Sequence, residues 1–229
     1  FTLGNDADLK IETNNGAISV GDIIGTAGGS ATDVILDAGT STTRIGAVGT
    51  GNTDINDLTV SGTGLITITG DITTADYTAN NAEDTGSQSY SGGVVVSGGL
   101  RTLTTGSGGA TFSSTINSES GQNRALTIAN TDGNVSITGA IGTTRALGAL
   151  IIGTAEDGNN NSGNITLSDS IGSNGAAGAA DFSMSVGTTP LINPDGSEVA
   201  TTPDVNQLGS LLNYVFGFGN FAAVAAGAT

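Results

Sequence analysis

Oxygen ligands gathered in turns are the residues of this chain with the most chemical capacity. Asp54-Ile55-Asn56-Asp57, Asp132-Gly133-Asn134, Glu156-Asp157-Gly158-Asn159-Asn160-Asn161 and Asp195-Gly196-Ser197-Glu198 place carboxylate and amide oxygens side by side. Calcium takes about six to eight hard oxygens of this kind. Asp54, Asp57, Asp132 and Asp157 are therefore candidate calcium ligands. None of these runs matches the calcium loop of a helix-loop-helix hand or the Gly-Gly-x-Gly-x-Asp nonapeptide. Asp and Asn also favour turns for their own backbone reasons, and that is the stronger reading. No cofactor is expected beyond a calcium ion that these acids could take.

Other chemistry is excluded by residue type. The chain has no Cys and no His, which removes disulfides, thiolates, imidazole bases and His-ligated metals together. No Gly-x-Ser-x-Gly elbow has a histidine to serve it, and no Gly-x-x-x-x-Gly-Lys loop is present. Two carboxylates could serve a glycosidase, but the sequence singles out no pair. No catalytic residue is assigned, and the chain is not expected to be an enzyme. Its formal charge is −16, from 21 acids against Lys10, Arg44, Arg101, Arg124 and Arg145. That balance repels phosphate backbones and anionic bilayers, so neither nucleic acid nor membrane is an expected partner.

What would position such residues is a repeat. The phrase Gly16-Ala17-Ile18-Ser19-Val20-Gly21-Asp22-Ile23-Ile24-Gly25-Thr26 returns from Gly64 to Thr74, Gly108 to Ser118, Gly133 to Thr143 and Gly163 to Ser173. Apolar and hydroxyl residues alternate in it with period two, the mark of a half-buried strand. A second phrase opens on a small or acidic residue: Asp8-Leu9-Lys10-Ile11, Asp33-Val34-Ile35-Leu36, Asp57-Leu58-Thr59-Val60, Ala125-Leu126-Thr127-Ile128 and Ala149-Leu150-Ile151-Ile152. Neighbouring copies stand 24 or 25 residues apart, and weaker strands at 94–96 and 100–103 fall in the long gap between 57 and 125.

A unit of this length is too short for a propeller blade or a helical-pair repeat. It fits one coil of a parallel β-helix, so the expected fold is an all-β solenoid of roughly 24-residue coils over 1–190. Ile18, Val20, Ile66, Ile68, Val135, Ile137, Ile165 and Leu167 should face inward. Ser19, Thr67, Ser136 and Thr166 should face outward in hydroxyl ladders. Ile24, Ile72, Ile116, Ile141 and Ile171 should begin the next side. An antiparallel sandwich is the competing architecture, favoured by the turn pairs Asn15-Gly16, Asp132-Gly133 and Asp157-Gly158. The stretch 77–91 is expected to be a long loop or an outward insertion, and Asp181 to Val186 a last strand.

The composition then changes. Pro190, Pro194 and Pro203 mark a linker, and no charge follows Asp204. Residues 191–229 form a second region, a linker and an apolar tail. Leu208, Leu211, Leu212, Tyr214, Phe216, Phe218 and Phe221 are its candidate assembly residues, on a docked helix or an extended strand. A bilayer span is the third conformation, although no basic flank marks one end of it.

The phrases at 16–27, 54–64 and 137–150 resemble the repeats of large secreted bacterial β-strand-repeat proteins of the filamentous-haemagglutinin-like adhesin kind. The resemblance covers roughly residues 3 to 190. It implies a right-handed parallel β-helix, export to the cell surface, and a role in adhesion or extracellular structure. It carries no catalytic residues. The expected function is that of a structural subunit of an extracellular fibre or surface layer, adding copies of itself head to tail. An adhesin stalk that binds host or glycan, and a polysaccharide-active β-helix enzyme or tail-spike, are the alternatives. Tyr77 and Tyr90 are the best support for the last of these. With Phe1 first and Met184 the only methionine, the chain is expected to be a processed product or a segment of a longer one.

Overall fold

Short alternating strands cannot bury an apolar face alone, so they stack. The computed structural model describes residues 1–4, 6–26, 31–50, 54–77, 85–130, 133–153, 165–169, 171 and, by backbone alone, 179–184. Along the chain, β1 (Leu9–Glu12) is followed by β2 (Ile18–Val20), β3 (Val34–Asp37) and β4 (Thr43–Ile45). Next come β5 (Leu58–Ser61), β6 (Ile66–Ile68) and β7 (Ile72–Thr73), then β8 (Gln88–Tyr90), β9 (Val94–Val96) and β10 (Arg101–Thr105). The described part closes with β11 (Ala110–Phe112), β12 (Ile116–Ser118), β13 (Leu126–Asn130), β14 (Val135–Ile137), β15 (Leu147–Ile152), β16 (Ile165–Leu167) and β17 (Ala179–Met184).

These strands form three parallel sheets, and the chain winds through them in turn. The first sheet runs β1-β3-β5-β8-β11-β14-β16, the second β2-β4-β6-β9-β12, and the third β7-β10-β13-β15-β17. The protein is a β-solenoid. The strand ladders are all parallel, which removes the sandwich; the antiparallel contact among the described residues is a single bridge, Asp76 to Thr85. Asn15 instead turns a corner of the coil in the left-handed region, at φ 64°.

Register gives the coil length. Leu9 pairs with Val34 and Val34 with Leu58, steps of 25 and 24 residues. Leu58 to Gln88 and Val135 to Ile165 are longer, at 30 each, and Gln88 to Ala110 is shorter, at 22. The core is built of side-chain columns along the axis. Leu36, Val60, Tyr90, Phe112 and Ile137 make one on the first sheet, and Ile23, Val48, Ile72, Leu103, Ile128 and Ile152 make one on the third side. All of these are buried. Each contributes roughly 1.5–3 kcal/mol by leaving water.

The inward residues expected at Ile18, Val20, Ile66, Ile68, Val135, Ile137 and Leu167 are buried, and Ile165 is half-buried. One inward position is corrected. Ile23 is fully buried and Ile24 only half, because successive residues of extended chain face opposite sides and Ile23 is the one in the inward column with Val48.

A second correction concerns the repeat itself. In the first coils the acidic phrase supplies the first sheet (β1, β3, β5) and the glycine phrase the second (β2, β6). Further on, the glycine phrase supplies the first sheet (β11, β14, β16) and the second phrase the third (β13, β15). The cassette slips by one side across the coil of β8, β9 and β10. Every side needs the same inward apolar and outward hydroxyl alternation, so the same words suit any of them. The expected loop at 77–91 also shrinks, since β8 takes Gln88 to Tyr90 into the first sheet.

The chain divides into two compact units, Phe1–Gly187 and Thr188–Thr229. The second, with its linker and tail, lies outside the described residues. So do 172–178, Ser185 and Val186. Among the described residues no helix is long and apolar enough to cross a membrane.

Candidate functional site

The acids of the turns are used to join one coil to the next. A parallel ladder pairs strand amides but leaves amides at the corners without strand partners, and a buried N–H left unpaired is costly. Asp8 accepts the backbone N–H of Asp33 at 3.1 Å, Asp33 that of Asp57 at 3.2 Å, and Asp57 that of Ser87 at 2.6 Å. On other corners Asp22 serves Ala47, Asp71 serves Thr102 and Asp76 serves Ser107, at 3.1, 3.0 and 2.7 Å. Asn15, Asn56 and Asn117 do the same for Thr40, Gly86 and Thr144. Each of these oxygens reaches forward by one coil. This is why the first three copies of the second phrase open on Asp: the carboxylate precedes the strand and caps the amide that precedes the next one.

The candidate calcium ligands divide accordingly. Asp57 is engaged with Ser87. Asp54 is half-buried, its Oδ1 has no partner among the described residues, and burial raises its carboxyl above the usual range. Asp132 and Asp157 lie outside the described residues. Among the described residues no three acids converge as a metal site would require. Asp33, packed under Asn56, is also raised, first by burial and against the hydrogen bonds from Asn56 and Asp57. The assembly residues Leu208, Leu211, Leu212, Tyr214, Phe216, Phe218 and Phe221 lie outside the described residues as well.

Gln88, Tyr90 and Thr74 form a hydrogen-bonded polar group inside the solenoid. Gln88 interrupts an aliphatic column between Leu58 and Ala110. Its Nε2 donates to the carbonyl of Thr104 at 2.8 Å, and its Oε1 accepts the hydroxyl of Tyr90 at 2.8 Å. Thr74 donates to the carbonyl of Gly86 at 2.6 Å. The Tyr90 ring stacks on Phe112 with centroids 4.9 Å apart, and burial pushes its phenol upward. Tyr90 is thus core, which takes away one of the two aromatics that favoured a sugar groove.

At one corner Glu119 gathers Ser97 Oγ at 2.6 Å, Gly98 N at 3.2 Å and Arg124 Nε at 2.5 Å. The hydrogen bonds from Ser97 and then Arg124 hold its carboxyl down at about 2. This cluster closes the bend between β9, β12 and β13.

A further surface feature lies on the first sheet. From β5 onward its outward residues form two columns. One is Thr59, Ser89, Thr111, Ser136 and Thr166, aligned as Cα partners. The other is Ser61, Ser91, Ser113, Thr138 and Ser168, kept aligned where the ladder continues past the strands: the backbone N–H of Ser91 donates to Val60 O, that of Ser113 to Tyr90 O, that of Thr138 to Phe112 O and that of Ser168 to Ile137 O. The signal was legible as Thr-Val-Ser, Ser-Tyr-Ser, Thr-Phe-Ser, Ser-Ile-Thr and Thr-Leu-Ser. It was hidden because the expected ladder joined Ser19 and Thr67, which lie on the second sheet, to Ser136 and Thr166, which lie on the first.

No known protein family, curated protein or solved structure matches the chain.

Proposed function

We propose that this chain is a structural subunit of an extracellular bacterial fibre or surface layer, exported to the cell surface and polymerising head to tail without catalysis. One observation carries the reading: coil is held to coil by parallel strand pairing that repeats along the solenoid. β1 and β2 stand at the edges of their sheets, and an edge strand is a template for another chain. A contact between unlike ends that does not close on itself builds a filament.

The chemistry of the side chains supports the same reading. Asp and Asn at the corners fasten coils together, and the buried polar groups Gln88, Tyr90 and Thr74 satisfy one another. The likeness to secreted adhesin repeats supports the export. In the proposal the tail from 205 to 229 docks on the next subunit. Its deletion is expected to leave a folded protein, with unchanged β-sheet circular dichroism, that sediments as a monomer. Filaments forming unchanged from the truncated chain would remove the tail from the account.

A further inference from the structure

The geometry points to a second function on the outer face of the first sheet, a binding surface for ice. The two hydroxyl columns described above make a regular array, two residues wide and five strands deep. Along a strand, residues two apart are separated by about 6.6 Å, and neighbouring strands by about 4.8 Å. Ice presents water oxygens in planes whose two-dimensional repeats are close to these. A surface that holds first-layer water at lattice spacing joins a growing crystal through that water.

Three observations favour this occupant. The first is that these hydroxyls are left over. Among the described residues none of the ten donates or accepts within the chain, whereas Thr13, Thr69, Thr74, Ser97 and Ser118 are all engaged. Free hydroxyls in register order water; hydroxyls already bonded to protein do not.

The second is charge. The chain carries −16, yet no outward position of this array is charged. Lys10, Glu12 and Asp37 occupy the same sheet before the array begins, and Asp169 follows its last strand. A neutral face inside an acidic protein matches a neutral partner. The residues after the second column are Gly62, Gly92, Ser114, Gly139 and, on the last strand, Asp169, so no large side chain rises along that edge before the array ends.

The third is size and type. The array covers on the order of 300 Å², well short of the about 800 Å² per partner of a stable protein interface. That disfavours a second copy as the occupant. It also offers no aromatic ring, the platform on which a flat hydrophobic partner face would stack. A crystalline polysaccharide presents such faces and ice does not.

The test is ice growth from a dilute solution of the purified chain on a cold finger, with the protein measured in ice and liquid. Wild type is expected to be enriched several-fold in the ice over an acidic non-binding control protein. Thr111→Lys, at the centre of the array, should fall to the control level, as should Thr138→Lys, where the exposed side chain follows its strand. Thr67→Lys, outward on the second sheet, should stay with wild type. Thermal melts of all three verify folding, and Thr138→Lys decides the matter if Thr111→Lys does not fold. Exclusion of the wild type from ice overturns the assignment, as does equal loss in Thr67→Lys and Thr138→Lys. Retention on microcrystalline cellulose or chitin together with exclusion from ice overturns it in favour of a polysaccharide. The readout is independent of polymerisation, since monomer and filament expose the same face.

Discussion

Asp33 reaches one coil along the solenoid axis and accepts the backbone N–H of Asp57 at 3.2 Å. Asp57 repeats the gesture toward Ser87 at 2.6 Å. Replacing Asp57 by Ala strands a partly buried amide, and such losses run at about 1–3 kcal/mol. Asp57→Asn keeps an acceptor and should recover most of that. Urea unfolding of the two variants checks it: equal and small losses, within the about 0.5 kcal/mol of an ordinary surface change, would mean that water replaces the carboxylate without penalty.

Two acids, Glu119 and Asp54, should act on stability with opposite signs as pH changes. Hydrogen bonds from Ser97, Arg124 and Gly98 hold Glu119 at about 2, against 4.5 unfolded. A carboxyl depressed by folding stabilises above its unfolded value, and that stability disappears as pH falls from 4.5 toward 2. Glu119→Gln should therefore be less stable than wild type at neutral pH, with the difference vanishing toward the acid end. Burial raises Asp54 above 3.8. There the folded state binds the proton more tightly, so stability is lost as pH rises through the raised value. Asp54→Asn should be more stable than wild type at neutral pH, and the gain should shrink below 3.8. Thermal melts across pH for both variants are the measurement.

Tyr90 and Phe112, a stacked pair, are the largest fully buried side chains among the described residues. Phe112→Ala should cost about 3–5 kcal/mol, as large-to-small changes of buried aromatics do. Tyr90→Phe keeps the ring but leaves Gln88 Oε1 without its donor, a loss of about 1–3 kcal/mol. Adding Gln88→Leu to Tyr90→Phe should restore part of it, because a buried polar pair replaced on both sides leaves nothing unpaired. Chemical denaturation of the single and double variants reads the coupling.

Coil-to-coil approach sets which glycines are fixed. A methyl on Gly64 would run into the carbonyl of Ser41 on the preceding coil, whereas one on Gly21 meets nothing within 4 Å. Gly64→Ala should lower the melting temperature by several degrees, and Gly21→Ala should be neutral. Comparable melts for the two would mean that the coils separate freely at that corner.

Much of this was legible in the sequence because a solenoid writes its fold locally. The alternation at Ile18-Ser19-Val20 or Val135-Ser136-Ile137 names strand, inward face and outward face at once. The coil length follows from the distance between Asp33 and Asp57. What was not legible was which side each phrase occupies, since all sides ask for the same alternation and only pairing across coils separates them. Val94–Val96 and Arg101–Thr105 lack both phrases, and there the cassette slips by one side. Tyr90 looked like a loop aromatic because its neighbours are Ser and Gln, yet Gln88 and Tyr90 satisfy each other in the core. The role of the acids was ambiguous for a physical reason: a turn carboxylate looks the same whether it waits for calcium or caps an amide one coil away.

The most direct test of the central proposal is electron microscopy of the purified full chain at neutral pH. Unbranched filaments one solenoid wide are expected, with fibre diffraction showing a meridional repeat of about 4.8 Å. A field of separate short particles, unchanged by concentration, would contradict it.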